Sequence, residues 1–140
     1  MDEAIQNSAK QIGKEIRHFF LQTDTPLEAI NRNIQYISEL FERPGGIHSE
    51  TFSNVPFGLL AMESAFENEK VLKVCEEAFL YWESIYEERF VAAGYELQRA
   101  KEIASLVNVL IEGGVVLALT KKSSEPLVHI QGVIPLLLSN

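Results

Sequence analysis

The sequence predicts an all-α fold with six helices in one domain. Apolar residues recur at helical spacing in successive segments, and residues that start or stop helices separate these segments. We find no run that alternates apolar and polar residues as a half-buried strand would, no internal repeat and no low-complexity tract. The chain has 140 residues, of which 46% are hydrophobic. It is therefore long and apolar enough to bury one core.

Two amphipathic helices are predicted in the first third of the chain. The first runs from Asp2 to Gln22, with an apolar stripe at steps of three and four residues. The second starts at Thr25, which can cap it, and Pro26 fits its first turn. It ends at Arg43, before a turn-forming stretch over residues 44–56.

A short helix and a long helix are expected next. The short one covers residues 57–66 and is apolar on most sides. Asn68 can cap the long one, which we expect from Glu69 to Ala93, with Gly94 ending it. One face of the long helix is apolar and the other carries many glutamates, which is typical of a solvated face.

The fifth predicted helix, over residues 96–122, is the central element of the fold. It is apolar on almost every side, which is typical of a helix covered by others. Glu112 near its middle argues against a membrane span, because a charge there is costly. Gly113 and Gly114 indicate that another backbone approaches closely, since each glycine in a helix costs about 1 kcal/mol relative to alanine.

The last predicted helix, from Pro126 to Leu138, carries more apolar residues than a free terminal helix needs. Pro135 should kink or loosen it, and Gly132 should ease close packing. Excess apolar surface usually marks an interface. We therefore expect a homodimer, formed through a bundle of the last two helices of each subunit.

Asn108 and Glu112 lie four residues apart, so they share one face of the central helix with Lys101 and Ser105. Three interpretations remain open. The stripe could face solvent, it could point into an apolar cavity and orient a ligand, or it could form a polar spot inside a subunit interface. Buried polar groups need partners, and a bound ligand is one such partner.

The composition excludes several classes of function. The net charge is −8 and the pI is about 4.9, which argues against direct binding of nucleic acid. The only cysteine, Cys75, is expected to be a small buried hydrophobe. The acidic, polar start of the chain does not resemble a signal peptide, so we expect a cytoplasmic protein.

Enzyme signatures are missing from the sequence. We find neither a metal-binding histidine motif nor a cysteine pair nor a glycine-rich phosphate loop. His18, His48 and His129 are isolated in sequence. We therefore expect no catalysis, no metal and no cofactor.

Aromatic residues are concentrated on the third and fourth predicted helices. They could be ordinary core, or they could line a small-molecule cavity with few polar anchors. The aromatic residues concerned are Phe57, Phe66, Phe79, Trp82, Tyr86 and Phe90.

Three runs of residues together resemble a known family. They are PFGLLAMESA from Pro56, VCEEAFLYWE from Val74 and NVLIEGGVVLALT from Asn108. In this order and at this spacing the chain resembles, over essentially its whole length, the C-terminal domain of TetR-type transcriptional repressors of the LmrA/YxaF-like branch.

The resemblance implies an all-α C-terminal domain whose last two helices form a dimeric four-helix bundle. It also implies that the domain binds a small hydrophobic or aromatic inducer, such as a flavonoid or an antibiotic, and that binding releases operator DNA. The helix-turn-helix of the family, which normally precedes the first helix, is expected to be absent from this chain, so operator DNA would be bound only through that domain. The expected ligand-binding residues are Phe57, Leu60, Met62, Phe66, Phe79, Trp82, Asn108 and Glu112. The expected dimer-interface residues are Val107, Gly113, Gly114, Leu117, Leu127, Ile130, Ile134 and Leu137.

Two other hypotheses stand beside this one. The chain could be a structural helical dimerisation module with a filled core and no ligand. It could also be a small enzyme or carrier that uses Glu112 as a base, which would require desolvation to raise the pKa of that carboxyl group.

Overall fold

The computed structural model describes residues 2–42, 61–63 and 66–139, and these residues form an all-α fold. The predicted fold class is confirmed. Residues 61–63 are helical and fall within the short helix expected at 57–66, and the turn-forming stretch 44–56 lies outside the described residues. The helices with complete bounds are α1 (Asp2–Leu21), α2 (Pro26–Glu42), α3 (Glu69–Ala92), α4 (Leu97–Lys121) and α5 (Glu125–Leu138).

Local capping explains why the helices begin and end where they do. The Thr25 hydroxyl accepts a hydrogen bond of 3.2 Å from the backbone N–H of Glu28. The Asn68 side-chain oxygen accepts one of 3.2 Å from the N–H of Val71. Gly94, just after α3, has a φ of +100°, which residues with a side chain rarely adopt. These caps are the ones that the sequence predicts.

The helices pack in a closed ring. α1 contacts α2 and α3, α3 contacts α4, α4 contacts α5, and α5 returns to α2. The ring surrounds a core of fully buried side chains from α2 to α5. They include Ile30, Ile34, Ile85, Tyr86, Phe90, Ile103, Val107, Leu127 and Ile134.

Helix α4 is covered on two sides, by α3 and by α5, as the sequence predicts. Its third side carries exposed apolar residues, namely Leu106, Val109 and Leu117. By length and composition α4 could cross a membrane, a property that the core helix of a soluble protein shares. Because α4 packs against two neighbours in this fold, we treat it as a core helix with one uncovered side.

The C-terminal end of α5 is tied to the start of α4. The hydroxyl of Tyr95 donates a hydrogen bond of 2.9 Å to the carbonyl of Leu138. The Arg99 guanidinium donates one of 3.1 Å to the carbonyl of Leu137. These bonds satisfy carbonyls that have no partner within the helix. Helix α5 continues through Pro135 to its last residue.

Candidate ligand site and uncovered helix face

Helices α2, α3 and α4 each place polar side chains inside the apolar ring. We call Asn33, Cys75, Tyr86, Asn108 and Glu112 the interior polar cluster. The first four of these residues are buried, and Glu112 is partly buried. The sequence predicted Asn108 and Glu112 in a ligand site, but it did not predict Asn33. Asn33 lies within the apolar stripe of α2, and a polar residue in such a stripe is a signal that could have indicated its burial.

Two hydrogen bonds connect these side chains to their neighbours. The Asn33 amide donates to the hydroxyl of Tyr86, and the Asn108 amide donates to the backbone carbonyl of Phe79. Both donor–acceptor distances are 3.4 Å. A typical N–H···O bond is about 2.9–3.0 Å long, so both bonds are weak. Neither amide is therefore held as tightly as a buried amide can be.

The electrostatics of the cluster follow from burial and from the carboxylate of Glu112. Burial raises the pKa of Tyr86, Glu112 raises it further, and the hydrogen bond from Asn33 lowers it in part. Burial raises the pKa of the Cys75 thiol, and Glu112 adds to that effect. The carboxylate of Glu112 on α4 therefore adds to the raised pKa of two buried residues of α3, Cys75 and Tyr86, in which burial is the main cause.

The structure distinguishes between the three interpretations of the polar stripe on α4. Lys101 and Ser105 are exposed, in agreement with the solvent interpretation. Asn108 is only 8% exposed and contacts α3 of the same chain, so the solvent and subunit-interface interpretations are wrong for it. The stripe is therefore exposed at Lys101 and Ser105, buried at Asn108 and partly buried at Glu112.

Trp82 lies in the packing between α1 and α3. It is 2% exposed, and its indole N–H donates a hydrogen bond of 3.0 Å to the carbonyl of Ala9. The rings of Trp82 and Phe79 meet edge to face, with centroids 5.6 Å apart. Trp82 therefore contacts the interior polar cluster only indirectly: its ring packs against Phe79, and the carbonyl of Phe79 accepts the hydrogen bond from Asn108.

Two of the other expected ligand-binding residues, Met62 and Phe66, are exposed rather than buried with the interior polar cluster. Met62 is 69% exposed and Phe66 is 99% exposed, and both precede α3 in the chain. Phe57 and Leu60 lie outside the described residues.

A second feature is an apolar surface that α4 and α5 present together. We call Leu106, Val109, Gly113, Leu117, Gly132, Val133 and Leu136 the uncovered helix face. Leu106, Val109, Leu117, Val133 and Leu136 are between 43% and 74% exposed. A groove of about 310 Å³ runs beside this face, and His129 is among the residues that line it. A Cβ atom added to Gly113 or Gly132 would meet nothing within 4 Å.

The structure separates the expected dimer-interface residues into two groups. Gly113 and Leu117 lie on the uncovered helix face. The others pack within the single chain, so their side chains leave little or no surface for a partner. Val107, Leu127 and Ile134 are 0% exposed, Ile130 is 8% exposed, Gly114 is buried and Leu137 is partly buried against the core.

The expected close approach of another backbone occurs at neither Gly113 nor Gly114 within the single chain, although Gly114 is closely packed by side chains. A Cβ atom at Gly114 would overlap the Ile130 side chain and lie 3.0 Å from Leu127 Cδ2. The atoms that approach are side-chain atoms of α5 rather than another backbone. The periodicity of α4 could not reveal this difference, because both glycines have apolar residues three and four positions before and after them.

Comparison with known proteins identifies the family of this chain. Residues 26–133 match the family model described as the LmrA/YxaF-like transcriptional regulator C-terminal domain. The chain belongs to this TetR-type family. It is 36% identical over 136 residues to the HTH-type transcriptional regulator LmrA of Bacillus subtilis, covering 97% of this chain and 70% of the relative. It is 31% identical over 136 residues to the uncharacterized HTH-type transcriptional regulator YxaF of the same organism, covering 97% and 69% respectively.

Membership in the LmrA/YxaF-like family decides against the enzyme hypothesis. The family consists of transcriptional regulators, which are not enzymes. Glu112 is therefore not a catalytic base. Among the described residues no group of three or more His, Cys, Asp or Glu side chains is placed to hold a metal ion.

Proposed function

We propose that this C-terminal domain binds a small hydrophobic or aromatic effector beside the interior polar cluster and pairs two subunits through the uncovered helix face. Effector binding would then release operator DNA from the full-length regulator. Family membership supports a regulatory role. The observation that carries the effector proposal is a set of weakly bonded polar groups in the centre of an apolar ring.

The interior polar cluster suits an effector that is mostly apolar and carries a few polar groups. The ring offers aliphatic and aromatic surface, which supplies binding free energy through burial. Asn33 and Asn108 can each exchange a 3.4 Å bond for a shorter one to the effector. Glu112 can accept a hydrogen bond from an effector hydroxyl group. A few such contacts fix orientation, whereas the apolar surface provides most of the affinity.

Effector binding can be measured through the single tryptophan. We would titrate the purified domain with planar aromatic compounds, including flavonoids, and follow Trp82 emission with inner-filter controls. We expect saturable quenching at one ligand per subunit and a rise in Tm, because a ligand that binds only the folded state stabilises it.

A matched pair of variants on α4 tests whether the interior polar cluster forms the site. Asn108→Ala removes the buried amide, whereas Ser105→Ala removes a hydroxyl from the exposed part of the same helix. Asn108→Ala should weaken binding about tenfold, the equivalent of one hydrogen bond of about 1.4 kcal/mol, and Ser105→Ala should leave it unchanged. Equal affinities for both variants would place the ligand elsewhere.

The uncovered helix face supports the dimer part of the proposal. Exposed apolar residues on two helices that pack against each other often mark a protein interface. Gly113 and Gly132 lie open on this face, where a partner helix could approach closely. Each glycine costs the single chain about 1 kcal/mol of helix stability, so its presence is easier to explain if a partner packs there.

Sedimentation of charge variants tests the dimer. Leu117 on the uncovered helix face and Leu80 on α3 are 50% and 56% exposed. Leu117→Glu should convert the dimer into monomers, because it would bury a carboxylate in an apolar interface. Leu80→Glu is the matched control and should leave the dimer intact. A dimer that survives Leu117→Glu would mean that the subunits pair through another surface.

The alternative of a structural dimerisation module is favoured by one observation. Asn33, Tyr86, Asn108 and Trp82 all have hydrogen-bonding partners within the chain, so the fold does not require a ligand. If no compound in a chemically broad panel changes Trp82 emission or Tm, while the domain is folded and dimeric, the result supports a structural dimerisation module.

We propose no operator-binding residue in this chain. The relatives are named HTH-type regulators, and the net charge of −8 makes this domain a poor ligand for phosphates. We propose that operator binding depends on a helix-turn-helix outside these residues and that the regulator acts in the cytoplasm.

A further inference from the structure

A continuous series of contacts leads from the interior polar cluster to α1. The Asn108 amide on α4 donates to the carbonyl of Phe79 on α3. The Phe79 ring meets the Trp82 ring edge to face, one helical turn further along α3. The Trp82 indole N–H then donates to the carbonyl of Ala9 on α1. Three helices are thus joined by side chains that are buried or partly buried.

The last contact in this series is a buried hydrogen bond of ordinary length. Its length of 3.0 Å is normal for an N–H···O bond, and Trp82 is 2% exposed. The Ala9 carbonyl is also the helical acceptor for the amide of Gly13. A buried indole N–H without an acceptor is strongly disfavoured, so Trp82 and this turn of α1 should move together.

The same turn of α1 lies very close to α3. A Cβ atom at Gly13 would overlap the Tyr81 ring, so α1 approaches α3 more closely than a residue with a side chain would allow. Trp82 and Tyr81 are adjacent on α3. They hold the Ala9–Gly13 turn of α1 by a hydrogen bond and by ring packing respectively.

We infer that Trp82 is a positioning residue that couples the state of Asn108 in the interior to the position of α1. When the Asn108 amide changes partner, the Phe79–Trp82 pair shifts and carries the Ala9–Gly13 turn with it. This inference rests on the proposed function, because an effector is what would change the partner of Asn108. It adds to that function the series of contacts through which a bound effector would change the position of α1.

The coupling can be tested without a ligand by NMR spectroscopy. We would compare the domain with its Asn108→Ala variant and measure hydrogen exchange of the amides of residues 9–13 and the shift of the indole N–H resonance. Because the chain has a single tryptophan, that resonance is unambiguous. Asn108→Ala should change the exchange rate of the Gly13 amide at least threefold, whereas the control Ser105→Ala should not.

The role of the indole N–H is tested by repeating the comparison without it. Because Trp82 is the only tryptophan, an auxotrophic host can replace it with benzothienylalanine, which keeps the ring shape and has sulfur in place of the N–H group. In this protein the effect of Asn108→Ala on Gly13 should disappear. Trp82→Phe provides a second background, and unchanged CD spectra and NMR line widths identify the folded variants.

Two outcomes would overturn the inference. One is an equal effect of Asn108→Ala on the Gly13 amide with and without the indole N–H. The other is no effect in either background. A purely structural role for Trp82 would lower Tm on substitution but would not remove the response of Gly13 to a change at Asn108.

Quercetin, a planar polyphenol, serves as the probe that separates this inference from the proposed function. If quercetin binds and shifts the α1 amides only when the indole N–H is present, both are supported. If it binds and shifts them equally in the benzothienylalanine protein, the coupling through Trp82 is wrong although the effector site stands. If it does not bind, the proposed function loses support, and the ligand-free comparison alone decides the coupling.

Discussion

Gly113 and Gly114 offer a test of how α4 packs, because they are neighbours with opposite surroundings. A Cβ atom at Gly113 would meet nothing within 4 Å, whereas one at Gly114 would overlap Ile130 and crowd Leu127. Substitution by alanine has the same intrinsic benefit at both positions, about 1 kcal/mol of helix propensity. Any difference between the two variants therefore reports on packing.

The expected magnitudes follow from these surroundings. Gly113→Ala should raise the free energy of unfolding by up to about 1 kcal/mol. At Gly114 the added methyl group crowds a close-packed contact, which typically costs about 1–3 kcal/mol. The atoms it meets are the ends of the Ile130 and Leu127 side chains, so some relaxation is possible. Gly114→Ala should therefore be less stable than Gly113→Ala by about 1–3 kcal/mol, a difference in Tm of about 2–4 °C per kcal/mol.

The assay is urea unfolding followed by far-UV circular dichroism in a Leu117→Glu background. That background removes the proposed dimer, so that the two variants are compared as single chains. Equal free energies of unfolding for Gly113→Ala and Gly114→Ala would refute the packing of α5 against Gly114. In the original background, Gly113→Ala should weaken the dimer, since its methyl group would lie where a partner helix is proposed to pack.

Three further predictions concern buried or partly buried groups. Tyr95→Phe should lower the free energy of unfolding by about 0.5–1.5 kcal/mol, measured by urea titration, because it removes the hydrogen bond to the Leu138 carbonyl. The Cys75 thiol should resist Ellman's reagent at pH 8 until the chain unfolds, since it is fully buried with a raised pKa, and Glu112→Gln should lower that pKa. The pKa of Tyr86 is raised in the folded state, so its contribution to stability is complete below about pH 10, the usual tyrosine pKa, and falls as the pH rises above that value. Tyr86→Phe should therefore flatten the alkaline decline in Tm, and an unchanged slope would mean that Tyr86 is not the group responsible.

The sequence by itself determined the fold class and the limits of the main helices. Residues such as Thr25, Asn68 and Gly94 act on the backbone next to them, so their effect can be read locally. The family could also be identified from the sequence, because three runs on different helices occur in a characteristic order. The partly buried position of Glu112 and the burial of Asn108 were among the possibilities that the sequence left open.

The tertiary structure decided which residues meet. Asn33 joins Tyr86 across 53 positions of the chain, and no periodicity within α2 specifies that partner. Met62 and Phe66 are apolar like the core residues, yet both are exposed. Apolar character favours burial in general, but it does not select the surface against which a side chain is buried.

The uncovered helix face illustrates the same limit. Helices α4 and α5 are apolar on several sides, so the sequence could predict an interface on them without selecting its residues. Val107, Leu127 and Ile134 turned out to fill the core of the single chain, whereas Gly113 and Leu117 remain on the open side. Hydrophobic attraction has no direction, and only the positions of α2 and α3 in the ring determine which sides of these two helices are already covered.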